Sequence, residues 1–107
     1  MRAGKLRHRL IVQQLQDTET LDSVGQPGQT WRTFDHMWGS VEPLSGRELY
    51  NAAQVQPDVT HKVTMRYRDG IAAKMRIQHK ERTLDILSVT DDEEREIQLV
   101  LMCKEAR

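Results

Sequence analysis

The chain has 107 residues, 37% hydrophobic and 30% charged, with 16 Lys plus Arg against 16 Asp plus Glu and a formal net charge of +0. That balance argues against a dedicated nucleic-acid binder, whose affinity comes mainly from neutralising phosphates, and Cys103, the lone cysteine, excludes an intrachain disulfide framework. No apolar run approaches a membrane span and the basic start lacks the apolar stretch of a signal peptide, so residues 1–107 read as one soluble domain, cytosolic when made, whose lean core favours association with copies or partners.

Leu6 to Leu15 predicts a first strand, rich in Ile11, Val12 and long polar side chains. Asp17 to Gly28 follows with Thr, Asp, Ser, Gly and Pro27, the chemistry of a solvated hairpin loop. A second strand runs through Trp31, Phe34, Trp38 and Val41. Its imperfect alternation predicts a bulge, and the three aromatics are expected in the core.

The segment 43–58 is too long and too helical for a hairpin turn, and it predicts a helix over Ser45 to Gln54. Ser45 followed by Glu48 has the form of a capping box, with the hydroxyl on a first-turn N–H and the carboxylate on the Ser45 amide. Long ordered insertions are usually functional, so this segment is the first suspect for function.

A third strand covers Val59 to Tyr67, with Val59, His61, Val63, Met65 and Tyr67 on one face, and Asp69-Gly70 marks the next turn. Met75, Ile77 and His79 carry a fourth strand, and Lys80-Glu81 turns into a fifth, Arg82 to Val89. There Leu84 and Ile86 share a face while Leu87 and Val89 take the other, which predicts a bulge or burial on both sides. The last strand places Ile97, Leu99, Leu101 and Cys103 inward. An all-β antiparallel barrel or sandwich of about six strands follows.

No catalytic constellation emerges, and no cofactor is implied. The four histidines, His8, His36, His61 and His79, lack close ligand spacing. Cys103 reads as a small hydrophobe, and His61 and His79 as satisfied seam histidines. Asp91 to Glu94 lacks the alternating ligands and glycine of a calcium loop and reads as a solvated tip. Arg7 and Arg9 at the basic start, and Asp91, Asp92 and Glu93 near the end, are candidate charges for head-to-tail contact between copies.

The sequence resembles the head-tail joining (head-closure, or stopper) proteins of tailed phages. The likeness begins at Ala3-Gly4-Lys5-Leu6-Arg7-His8-Arg9, continues through Thr30-Trp31 and 37–43, and is densest at Leu44-Ser45-Gly46-Arg47-Glu48-Leu49-Tyr50 and over 59–70. Arg82 to Val89 and the ending Cys103-Lys104-Glu105 complete it, and Lys80-Glu81 departs from it where a Gly-containing turn is expected.

The resemblance implies a small β-barrel that forms a homo-oligomeric ring beneath the portal or its adaptor. The ring closes the DNA exit channel after packaging and docks tail-completion or tail-tube proteins. The protein would assemble in the host cytoplasm and reside in the virion of a phage or prophage, with no membrane contact. Residues 43–58 would face the channel and partners, touching packaged DNA non-specifically, with Leu44, Leu49 and Tyr50 as apolar anchors. In a free subunit this loop is expected to be partly disordered and to order on assembly. A different class, a small barrel that binds single-stranded nucleic acid, would need aromatics and cations on one exposed face.

Overall fold

The strand with the cleanest alternation, His61–Arg66, buries His61, Val63 and Met65 and turns Lys62, Thr64 and Arg66 outward. It is the third strand in the computed structural model of the chain, which describes residues 8–21, 25, 27–91 and 96–106. In order the elements are β1 (His8–Leu21), β2 (Pro27–Pro43), α1 (Gly46–Val55), β3 (His61–Arg66), β4 (Arg76–His79), β5 (Arg82–Asp91) and β6 (Gln98–Ala106). The strands close into an antiparallel barrel in the order β1-β2-β3-β6-β5-β4.

Each strand gives its inward phase to one core: Leu10 and Val12 from β1, Val63 and Met65 from β3, Ile77 from β4, Leu84 and Ile86 from β5, Leu99, Leu101 and Cys103 from β6. Full burial of such a side chain is worth about 1.5–3 kcal/mol, so the stability of the molecule resides here. On β2 the inward position is Gly39, because a Cβ there would lie 2.7 Å from Leu10 Cδ1 and 2.8 Å from the Thr64 carbonyl oxygen.

Both expected irregularities are present. Val12 faces Asp35 and Gln13 faces Thr33, which leaves Phe34 as the extra residue of β2. Its ring packs on the core and lies where a Cβ of Gly70 would stand, 2.8 Å from Phe34 Cζ, at a backbone φ of +93°. On β5, Ile86 faces Cys103 and Ser88 faces Met102, so Leu87 is the extra residue and Val89 returns to the core side.

Other expectations need correction. The first hairpin is far longer than its turn chemistry suggested. Its ladder runs to Leu21 opposite Pro27, while β4 flanks β1 only over Ile11–Gln13, so a two-stranded arm leaves the barrel. This lengthens the molecule to 46 × 28 × 28 Å. Trp38 lies on the outward phase beside inward Gly39 and is 53% exposed, and Ile97 precedes β6 and is 50% exposed. Lys80 adopts the left-handed conformation (φ 56°) that the missing glycine would have taken without strain.

Candidate docking site

The connection between β2 and β3 is rooted at both ends. Leu44 and Val59 are buried, the Leu44 amide donates to the Thr60 carbonyl at 3.0 Å, and the Thr60 amide donates to the Cys103 carbonyl at 2.9 Å. Between these roots α1 buries no residue at all. Tyr50 and Val55 are 67% and 79% exposed, while Leu49, Ala52 and Ala53 are half-buried. A ten-residue helix is marginal in isolation, so tethers matter. The clearest is Glu48, whose carboxylate accepts from Lys62 Nζ at 2.9 Å. Arg47, Glu48, Asn51 and Ala52 face Met102 of β6 across a cleft of ≈ 550 Å³.

Two expectations about this segment change. The helix spans Gly46–Val55, and the Ser45 hydroxyl makes no capping bond. Gly46 takes a left-handed φ of +57°, which redirects the chain just after Ser45, and Lys62 holds the Glu48 carboxylate that a capping box would send back. Leu44 is an internal root packed in its own subunit, so it does not present an apolar anchor to a partner. In this chain the segment forms a helix tethered by the two root hydrogen bonds and the Glu48–Lys62 ion pair.

A polar network lies beneath the roots. Arg82 Nη2 donates to His61 Nε2 at 2.6 Å, so the neutral ring carries its proton on Nδ1, which donates to the Thr60 hydroxyl at 2.8 Å. That hydroxyl also accepts from the Glu105 amide at 2.8 Å and donates to the Cys103 carbonyl at 3.5 Å. Glu105 holds Arg82 in turn, with Nε to Oε1 at 2.7 Å. Burial lowers the His61 pKa, the Arg82 charge adds to that, and Glu105 opposes it. His61 is therefore the satisfied seam residue anticipated. His79 is not: neither ring nitrogen has a hydrogen-bond partner among the described residues, and the ring meets His8 edge-on at 4.6 Å. Burial depresses its pKa, followed by His8, Lys80 and Arg82. Cys103 is buried, with its thiol pushed up to about 12, consistent with an inert packing residue.

Of the candidate inter-subunit charges, Arg7, Asp92 and Glu93 lie outside the described residues. Arg9 stacks over exposed Trp38 at 5.5 Å, and the Asp91 carboxylate accepts from the Glu96 amide at 3.1 and 3.2 Å. The other aromatics expected in the core also carry guanidinium lids, Arg68 over Phe34 at 4.7 Å and Arg76 over Trp31 at 4.1 Å. Each lid occupies a ring face that a stacked base would need. Among the described residues no group of three or more His, Cys, Asp or Glu could hold a metal, and no helix is long and apolar enough to cross a membrane.

The family model described as phage head completion protein matches residues 1–106. The chain belongs to that family. A curated relative, head completion protein gp7 of Enterobacteria phage HK97, is 28% identical over 97% of this chain and 96% of its own length. The solution structure of protein SF1141 from Shigella flexneri 2a matches with a TM-score of 0.75 and 28% identity, over 99% of this chain and 97% of that one. The same fold recurs in a chain from the virion of a native gene transfer agent particle, at a TM-score of 0.60 and 16% identity over 94% and 96% of the two chains. Head completion proteins are structural, so this chain is a virion component at the head-tail joint and contacts other virion structural proteins.

Sequence reasoning passed over Thr60 and Arg82, whose roles arise from contacts between residues 60, 61, 82 and 105 on different strands. Val55 was passed over as well, since a single valine at the end of a helical stretch carries no signal until the helix is seen to contain no buried residue.

Proposed function

We propose that this protein is a non-enzymatic ring subunit that completes the phage head beneath the portal or its adaptor, closes the DNA exit channel and docks tail-completion or tail-tube proteins. The observation that carries this reading is a family match over residues 1–106 on a barrel whose connecting helix has no fully buried residue and presents Tyr50 and Val55 to solvent. A ring of identical copies needs heterologous contacts, one face of each subunit on a different face of the next. Tyr50, Val55 and half-buried Leu49 supply the apolar anchors, since interface energy concentrates in a few aromatic and apolar side chains. Arg9 and Asp91, with Arg7, Asp92 and Glu93, supply steering charges, each exposed pair contributing only ~0.2–1 kcal/mol. Ser45 and Gly46 set the angle at which α1 leaves the barrel. Arg47 is the exposed cation that this segment offers to packaged DNA. Subunits made in the host cytoplasm would join the connector after packaging.

Electron microscopy of the protein mixed with its portal complex tests the proposal. An added ring of density that Tyr50→Ala with Val55→Ser abolishes is the expected result. Unchanged portal particles at saturating protein would overturn it.

A further inference from the structure

Thr60 is where the docking segment rejoins the barrel. Its carbonyl holds the Leu44 amide, its amide is held by Cys103, and its hydroxyl joins the His61–Arg82–Glu105 network. Both roots of the segment therefore meet at one residue whose side chain is coupled to an imidazole.

We propose that Thr60, His61, Arg82 and Glu105 form a proton-sensitive clamp that positions the 43–58 segment for docking and lets it loosen when His61 becomes charged. This rests on the docking role proposed for the segment. The geometry demands a neutral ring. Nε2 accepts from Arg82 Nη2 at 2.6 Å, so a proton added to Nε2 sets one N–H donor against another and an imidazolium against a guanidinium. Two groups could share the new charge. Glu105 attracts it, but its carboxylate is already held by Arg82, so His61 and Arg82 must compete for one acceptor. Thr60 cannot help, because its hydroxyl already accepts from Nδ1 and from the Glu105 amide. Displacing either partner disturbs the Thr60 side chain, and with it the bonds to Leu44 and Cys103 that root the segment. The positioning residues are Thr60, His61, Arg82 and Glu105; none of them touches the partner in this scheme.

Hydrogen exchange of the full chain between pH 7.5 and 5, corrected for intrinsic exchange, reads the clamp directly. In wild type the Leu44, Thr60 and Glu105 amides should lose about tenfold more protection on acidification than the Val63 and Leu101 amides, as for a local opening rather than a global one. His61→Gln should flatten that difference, because an amide accepts from Arg82 and donates to Thr60 at every pH. His79→Gln is carried in both backgrounds to remove the other buried imidazole. The same pH profile in wild type and H61Q would overturn the clamp. So would NMR of wild-type His61 at neutral pH showing the proton on Nε2, a readout that needs no variant. Ring addition to portal at both pH values separates the two proposals. No ring at either pH would overturn the docking function, while the exchange profile alone decides the clamp.

Discussion

The β3–β6 wall and the helix-bearing segment that lies beside it answer to different rules. In the wall every second residue is buried, and Val63, Met65, Leu101 and Cys103 have no exposed surface. In α1 no residue is buried, and the tethers are two root hydrogen bonds and one ion pair at 2.9 Å. Energy for holding the molecule together is concentrated in the first region, and freedom to present side chains in the second. The fold can therefore tolerate change in the helix-bearing segment better than in the wall.

Substitutions should separate the two regions sharply. Leu101→Ala leaves a cavity at the centre of the wall and should cost about 2–5 kcal/mol in urea denaturation. A loss well under 1 kcal/mol would mean the core is not where the energy lies. Gly39→Ala comes next, at about 1–3 kcal/mol, because the added Cβ meets the Thr64 backbone carbonyl as well as a movable Leu10 methyl; a neutral thermal midpoint would contradict the close approach of β2 to β3.

The buried imidazoles give a smaller, pH-dependent effect. Folding lowers the His79 pKa below the ordinary histidine value of 6.5, through burial first and its positive neighbours second. Below 6.5 the unfolded chain takes the proton more readily, so stability is fully present above that pH and is lost as pH falls through the folded pKa. His61 shifts the same way. His79→Phe should make the stability profile shallower in this window, and a slope identical to wild type would remove the assignment.

The smallest effects belong to the helix. Glu48→Gln removes an ion pair that is half-exposed on the carboxylate side and should cost at most ~0.2–1 kcal/mol, less at high salt. Tyr50→Ala should change monomer stability by less than about 0.5 kcal/mol while weakening ring addition, and a large loss of stability would show that the two regions are not separable.

Much of the wall was legible from residue order. Alternation placed Val63, Met65, Leu99 and Leu101 inward, and the broken phase at Leu87 announced the bulge observed there. Within the candidate site, the position of the helix was legible and its chemistry only partly so. Ser45 and Glu48 have the spacing of a capping box, yet Gly46 turns left-handed and Lys62, fourteen positions on, takes the carboxylate. Leu44 looked like an anchor because an apolar residue beside a loop reads the same whether it faces a partner or its own barrel. The arm was hidden because turn-forming residues still make a backbone ladder when a second strand lies alongside.

By itself the amino-acid order determined which side chains of β3, β4 and β6 face inward, since a regular strand assigns faces with a period of two and needs no distant partner to do so. Only the tertiary structure decided that β3 closes on β6 and β4 on β1, that Thr60, His61, Arg82 and Glu105 meet, and that the His79 ring finds no hydrogen-bond partner among the described residues. Those outcomes depend on contacts between residues far apart in the chain, whose pairing is selected by the joint packing of the whole barrel and is carried by no local pattern.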